Sequence, residues 1–352
     1  GLRYGSSQSS ALDFAVVAGN VGIVRALIEH GRADVNAAMV DGRTTMHRAA
    51  FFNKPTAIDV LVAAGASLEA KTNGNCDGNI SGGGCRGWTP IFDAAAEGSA
   101  DAVAALLKHK AAHDATDSSG RTPLHVAAEG EHAEVCAALL AAGADPFLRY
   151  GAGELSVLDL AAREGNVDLI WAIARSRPTG LSWAGSRGYT ALHHAASRDE
   201  GLAVEALLEA GARIDATDAQ GWTPLFDGCA KGSSDAVARL LEAGADPDVL
   251  DLEGRSPLHV AAQRGFRGPA KLLLAAGADA GRRFGKSESS AVDVAVVEGN
   301  LDVLMAIIAF GRAGEAAEAA DLDATDSTGR TALHRGAFFD QVGAVGALVR
   351  GG

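Results

Sequence analysis

Ten histidines and 44 acidic residues in a chain of 352 invite a search for acid–base or metal chemistry. Asp114 and Asp117, Asp215 and Asp218, and Asp323 and Asp326 each sit in Asp-Ala-Thr-Asp, with Asp248 and Asp251 in the related Asp-Val-Leu-Asp. Paired carboxylates can cleave glycosidic bonds, but that needs one pair in one cleft, and here the pair recurs along the chain. Such Asp residues fold turns by accepting nearby backbone N–H groups. His47, His125, His193, His259 and His334 also recur, each three residues after a Thr or Ser. Elsewhere that position holds Phe92, Phe226, Asp13, Asp159 or Asp293, a set with no shared metal or acid–base role. His109, His113 and His132 do not recur and lack the His-Glu-x-x-His or paired-Cys context of a zinc site. The Ser81 to Gly84 run lacks the Lys-Ser/Thr of a phosphate loop. The expectation is therefore no catalytic residue, no metal site and no cofactor.

Four cysteines are too few and too scattered for a disulfide scaffold. Cys136 and Cys229 fall at helix positions that are otherwise small and apolar, and are expected to pack as small hydrophobes. Cys76 and Cys85 flank the glycine-rich stretch Asp77 to Gly84, and whether they bridge is open at this level. Asn79-Ile80-Ser81 is a glycosylation sequon, idle in a chain without a secretory signal.

The recurrence itself is the main signal. The stretch Gly120-Arg121-Thr122-Pro123-Leu124-His125-Val126-Ala127-Ala128, followed by Ala138-Leu139-Leu140-Ala141-Ala142-Gly143-Ala144-Asp145, has variants starting at Ser10, Thr44, Thr89, Thr122, Ser156, Thr190, Thr223, Ser256, Ser290 and Thr331. Thr or Ser caps a helix, and Pro suits its first turn, where the missing donor costs nothing. Leu124, Ala127 and Ala128 repeat at helical spacing, and glycines such as Gly19, Gly98, Gly130, Gly165, Gly232, Gly265 and Gly299 stop this first helix after about two turns. A second helix carries Val135, Leu139 and Leu140 as its apolar stripe and ends at Gly143, before an Asp-rich segment and a tight turn at Gly120, Gly221, Gly254 or Gly329. Each unit reads turn, helix, turn, helix.

A period near 33 with Thr-Pro-Leu-His-x-Ala-Ala and a later Leu-Leu-x-x-Gly-Ala-Asp resembles the ankyrin repeat over nearly the whole chain. The resemblance implies an all-α solenoid with short β-hairpin turns and about ten helix–turn–helix units. The array is expected to run over 1–352 as one body, with units at approximately 5–38, 39–71, 84–116, 117–150, 151–184, 185–217, 218–250, 251–284, 285–325 and 326–352 and a glycine-rich insertion at 72–83. It also implies that the five recurrent histidines tie neighbouring units by hydrogen bonds, and that Leu124→Ala or Leu192→Ala costs roughly 2 to 5 kcal/mol as a buried truncation. In such repeats a turn asparagine is sometimes hydroxylated, and only Asn36, in Asp34-Val35-Asn36, matches it here.

The resemblance further places turn residues and first-helix ends on a concave groove. Those positions are Arg43, Trp88, Arg121, Tyr189, Trp222, Arg255 and Arg330 on the turns, with Phe51, Phe52, Phe338 and Phe339 at helix ends, beside Glu97, Arg198, Lys231 and Arg264. Trp, Tyr and Arg dominate binding energy at many interfaces, so this set is the expected partner-binding site. The alternative is that each turn ring merely covers the next hairpin.

A longer period is superposed. Units of the types at Ser10, Thr44, Thr89 and Thr122 recur in that order, and the steps 89 to 223, 122 to 256 and 156 to 290 are each 134 residues, as in a duplicated four-unit block. Every fourth turn is basic and aromatic, at Leu2-Arg3-Tyr4, Leu148-Arg149-Tyr150 and Arg282-Arg283-Phe284, which could hold an acidic partner or simply be solvated. A second insertion, around Gly311 to Glu318, is expected to be a solvated extension. The ends carry no polar capping unit, which suggests a fragment of a longer protein.

The formal charge of −13 argues against nucleic acid as a partner, and no apolar run is long enough to span a bilayer. A cytoplasmic or nuclear protein-binding scaffold or adaptor, acting without catalysis, is the expectation, its partner and oligomeric state unspecified. The alternative is a regulatory or targeting segment of a larger protein such as a kinase, ubiquitin ligase subunit or channel.

Overall fold

The structure, a computed structural model, describes residues 3–4, 9–31, 33–74, 85–185, 187–313 and 321–351. Among them the chain forms twenty helices that alternate in role. The first helices are α1 (Ala11–Val17), α3 (Thr45–Phe51), α5 (Pro90–Ala96), α7 (Pro123–Glu129), α9 (Val157–Arg163), α11 (Ala191–Arg198), α13 (Pro224–Lys231), α15 (Pro257–Arg264), α17 (Ala291–Val297) and α19 (Ala332–Phe338). The second helices are α2 (Val21–Glu29), α4 (Pro55–Ala63), α6 (Ala100–Lys108), α8 (Ala133–Ala141), α10 (Val167–Ser176), α12 (Gly201–Glu209), α14 (Ser234–Glu242), α16 (Arg267–Ala275), α18 (Leu301–Ala313) and α20 (Val342–Gly351).

The helices fall into two compact units, one of residues 1–160 with 171–178 and the other of 161–170 with 179–352. In the first, α1, α3, α5 and α7 pack in order, as do α2, α4, α6 and α8. In the second the orders are α11, α13, α15, α17, α19 and α12, α14, α16, α18, α20. Small residues make this close stacking possible: Ala94, Ala127, Ala195 and Ala261 are all fully buried. Leu124 and Leu192 lie in these cores.

Each first helix starts because its cap and its fourth residue satisfy one another. Thr122 donates its backbone N–H to His125 Nδ1 at 3.2 Å, and its hydroxyl accepts the His125 N–H. Ser156 donates its N–H to the Asp159 carboxylate at 2.9 Å instead. His and Asp alternate at this position because either can accept that bond, the reciprocal arrangement of a capping box. With Nδ1 accepting, Nε2 carries the proton and donates onward: His47 to Trp88 O at 3.2 Å, His193 to Trp222 O at 3.1 Å and His259 to Arg282 O at 3.0 Å. Burial holds these rings neutral, with His125 and His259 pushed down to about 4. These three histidines are rivets between consecutive repeats, whereas among the described residues His125 Nε2 meets no hydrogen-bond partner and His334 is bonded to its own cap, Thr331.

The Asp pairs do the same for the hairpins. The first Asp reaches across to the next turn, as Asp114 Oδ1 accepts from Asp145 N–H at 3.0 Å; the second folds its own, as Asp117 Oδ1 accepts from Ser119 and Arg121 N–H at 2.8 and 2.9 Å. Asn36 plays the first role, its Nδ2 donating to Gly65 O and its Oδ1 accepting from Ser67 N–H. Gly188 is required between hairpins: at φ +79°, an added Cβ would lie 2.8 Å from Asp218 Cα. One helix stop departs from expectation. Gly130 is not left-handed, at φ −86°, and Glu131, at φ 57°, makes the turn.

Cys136 and Cys229 are buried free thiols, Cys136 pushed up to about 12 by burial. Cys85 is buried and disulfide-bonded, whereas Cys76, the Asn79 sequon and the rest of 75–84 lie outside the described residues. The insertion departs and returns at a common base, where Thr72 N–H donates to Trp88 O and Gly87 N–H to Thr72 O. Of the second insertion, 311–313 continue α18 and 314–320 lie outside the described residues.

Candidate functional site

The turn residues expected to form a recognition groove are largely fastened to one another. Trp88, at 0% exposure, is wholly inside. Its Nε1–H donates to Asp117 Oδ2 at 3.3 Å, Arg121 Nε donates to the same oxygen at 2.9 Å, and the Arg121 guanidinium lies 5.9 Å from the ring centroid. The ring stacks on Phe92 at 5.8 Å. The other unit repeats this clamp: Trp222 Nε1–H and Arg255 Nε reach Asp251 Oδ2 at 3.1 and 2.8 Å, and Trp222 stacks on Phe226. Phe92 and Phe226 replace the histidine because here the ring, not a hydrogen bond, covers the turn. The clamp joins a turn to the next turn of the stack, so Trp88 and Arg121 have no free surface as placed, and Trp222 and Arg255 only part of theirs.

Arg43 and Tyr189, in matching places, each face a buried carboxyl. Arg43 Nη2 donates to Asp93 Oδ1 at 2.8 Å, whereas the Tyr189 hydroxyl is the hydrogen-bonding neighbour of Asp227. Without a guanidinium beside it, Asp227 is pushed up to about 7 by burial, with Asp218 adding to the rise and Tyr189 and Lys231 opposing it. These two residues are half-buried.

The basic-aromatic turns are also occupied. Antiparallel two-residue strands pair Arg3–Tyr4 with Ser9–Ser10 and Arg283–Phe284 with Ser289–Ser290, and a single bridge joins Tyr150 to Leu155. Arg149 Nη1 donates to Glu154 O at 2.5 Å and to the buried Asp159 carboxylate at 2.7 Å, and Arg283 Nη1 reaches Glu288 O at 2.5 Å. Tyr150 and Phe284 stand edge-on to His125 and His259. These arginines serve their own hairpins and buried acids.

What the fold leaves open on the turn and first-helix face is a different subset. Phe52 is 38% exposed, Phe338 74% and Phe339 48%, Phe51 being partly covered by Phe52, and Arg330 is exposed. Arg198, Lys231 and Arg264, the last residues of α11, α13 and α15, are exposed, as is Glu97. In the second unit a hollow of about 230 Å³ opens over Phe284, Val294 and Val297, rimmed by Glu253, Gln263 and Glu298. Sequence reasoning missed this hollow, although Phe284 had been noted in its turn. Its lining joins two turns and two helices, and of these residues the sequence singles out Arg255 and Phe284 on the turns and His259 and Asp293 beside the helix caps.

The lone histidines are paired locally: His109 Nε2 with Asp59 at 2.6 Å, His113 Nδ1 with Asp114 at 3.2 Å and His132 Nε2 with Ala96 O at 2.9 Å. Among the described residues there is no group of three or more His, Cys, Asp or Glu able to hold a metal, and no helix long and apolar enough to cross a membrane.

The family model for ankyrin repeats, in its three-copy form, matches residues 3–72, 72–150, 158–251 and 227–314. Among solved structures, an ankyrin repeat domain from Acinetobacter baumannii AYE superposes with a TM-score of 0.50 at 32% identity, covering 54% of this chain and 98% of that one. Three curated proteins are similar over shorter stretches. The glycerophosphocholine phosphodiesterase GDE1 of Candida albicans is 33% identical over 34% of this chain, the transient receptor potential channel pyrexia of Drosophila melanogaster 32% over 43%, and the tyrosine-protein kinase HTK16 of Hydra vulgaris 30% over 37%. The alignments span 9%, 15% and 16% of those proteins' own lengths.

Proposed function

From the premise that this chain belongs to the ankyrin-repeat family, we propose that it is a noncatalytic scaffold or adaptor that binds a protein partner through its turn and first-helix face. Ankyrin repeats are protein-interaction domains. The observation that carries the reading is the exposure of Phe52, Phe338 and Phe339 at first-helix ends, large rings that the fold does not need and leaves in water. Contiguous exposed apolar patches mark interaction sites, and Phe338 with Phe339, like Phe51 with Phe52, forms such a pair within its own unit. The buried turn residues Trp88 and Arg121 contribute by holding that face rigid, so the binding set narrows to Phe52, Phe338, Phe339, Arg330 and the accessible parts of Phe51, Arg43, Tyr189, Trp222 and Arg255. The test is affinity capture from lysate with the whole chain against a Phe52→Ala, Phe338→Ala, Phe339→Ala variant shown to fold by circular dichroism. Loss of specific captured proteins supports the reading; an unchanged set removes it.

A second reading is favoured by the similarity to short parts of a phosphodiesterase, a channel and a kinase: the array is the regulatory or targeting segment of a longer chain. An antibody raised against the array would then detect a native product well above 35.7 kDa. A product of that mass alone would refute it.

A further inference from the structure

The residue eight positions after each first-helix cap runs Ala18, Phe52, Glu97, Gly130, Glu164, Arg198, Lys231, Arg264, Glu298 and Phe339. Three consecutive cations stand in it, all in one unit, on α11, α13 and α15, which pack in that order. Each is the last helical residue before a left-handed one, at Asp199, Gly232 and Gly265, so the chain turns away beyond it. All three are exposed, and among the described residues none makes a side-chain hydrogen bond or an ion pair, Lys231 acting only at longer range on the buried Asp227. The adjacent Asp199 is engaged, its Oδ1 accepting from Ala236 N–H. The turn arginines Arg43, Arg121, Arg149 and Arg255 and the helix residue Arg335 are all held by carboxylates, whereas these helix-end cations, like the turn residue Arg330, are in no ion pair among the described residues.

A cation in the last turn favours the helix dipole, which alone would account for any one of them. It does not account for three in succession where Glu164 and Glu298 occupy the same position on either side. Packed helices lie about 8 to 10 Å apart, so the helix ends that carry the three side chains succeed one another at roughly that step. A polyproline II chain advances about 3.1 Å per residue with three residues per turn, which brings every third side chain to the same edge about 9 Å apart. We propose that Arg198, Lys231 and Arg264 form a docking ladder for an extended acidic peptide segment with carboxylates at every third position. This rests on the reading that the first-helix face binds protein, and supplies the chemistry of what it binds.

The probe is a fluorescein-labelled peptide of about twelve residues built of Glu-Pro-Ser repeats, read by fluorescence anisotropy with the whole chain. The reference probes are a peptide of the same composition with its glutamates contiguous and one with Lys for Glu. The expected result is binding of the Glu-Pro-Ser peptide, weakened as salt screens the charges. It should be weaker by about tenfold or more in Arg198→Glu, Lys231→Glu, Arg264→Glu and in the Gln triple variant, which does not oppose the helix dipoles. Three exposed pairs at up to about 1 kcal/mol each allow a change of that size. Arg267→Glu with Lys271→Glu, two exposed cations of second helix α16 in the same unit, should leave binding unchanged. The proposal is overturned if no acidic peptide binds, if the Gln variant binds as well as wild type, if the α16 variant is equally damaging, if the contiguous peptide binds as tightly, or if an oligonucleotide of similar charge binds more tightly. Should the peptide fail while the phenylalanine variant still loses captured partners, the ladder is refuted and the protein-binding face stands.

Discussion

Asp227 gives the second unit a pH dependence whose sign and size follow from its surroundings. The side chain is buried on α13, one carboxyl oxygen has no hydrogen-bond partner, and its neighbour is a phenol where Asp93 has a guanidinium. Its carboxyl is pushed up to about 7, against about 3.9 for an Asp in an unfolded chain. Between those values the folded protein holds a proton that the unfolded chain has lost. The Asp227 contribution to stability is therefore fully present below about pH 4, is lost as pH rises to about 7, and then levels, while His193 and His259, held neutral by burial, contribute in the opposite sense as pH falls below about 6.5. At about 1.4 kcal/mol per pH unit the full window is worth roughly 4 kcal/mol, an upper bound because neighbouring repeats share the strain. Asp227→Asn keeps a group that can accept from Tyr189 and removes the titration. It should remove the Asp227 contribution to the profile, leaving α13 more stable than wild type at pH 8 by roughly 2 to 4 kcal/mol and little changed at pH 4.5. Hydrogen exchange of the α13 amides, corrected for intrinsic rates and followed from pH 4.5 to 8, measures this directly. An Asp227→Asn variant that keeps the wild-type slope would refute the reasoning, since it leaves the histidines in place.

Other expectations concern the clamps. Arg43→Met leaves Asp93 buried without its counter-charge and should destabilise the first unit by roughly 3 to 5 kcal/mol at neutral pH, read by urea unfolding. Trp88→Ala empties a fully buried site and should cost roughly 3 to 5 kcal/mol, more than Trp222→Ala at a half-buried one; equal losses would contradict the difference in burial. His259→Ala removes both the bond to the Ser256 N–H and the bond to Arg282 O and should cost about 1 to 3 kcal/mol, whereas His334→Ala, in an exposed pair, should cost less. Cys136 and Cys229 should resist a thiol reagent such as DTNB in the native protein and react on unfolding, since burial keeps both protonated; fast native labelling would be inconsistent with the packing.

The duplication visible in the sequence acquires a physical meaning in these clamps. The Trp–Asp–Arg arrangement of Trp88, Asp117 and Arg121 returns as Trp222, Asp251 and Arg255 with nearly the same distances. The Arg43–Asp93 pair returns altered, as Tyr189 and Asp227. Two copies of one block thus differ in how a buried acid is compensated, by the Arg43 guanidinium at Asp93 and by the Tyr189 phenol at Asp227.

By itself the sequence determined the repeating unit, because its signals are local. Capping residues lie within one turn of the groups they satisfy, the apolar stripe recurs at helical spacing, and Asp at a turn bonds to N–H groups two and four residues on, as at Asp117 and Asp251. The cap bonds of the recurrent histidines are local in the same way, whereas their bonds to the next repeat, as from His47 to Trp88 O 41 residues on, entered only through the family resemblance. Tertiary structure alone decided which aromatic and basic residues remain exposed. Trp and Arg have one chemistry whether they meet a partner or the next repeat, and Trp88 meets Asp117, 29 residues away, only after the stack has formed. Only then are Trp88 and Arg121 removed from the surface, and Phe52, Phe338, Phe339 and the cations ending α11, α13 and α15 left on it, because exposure is a property of packed neighbours and not of a residue's own type.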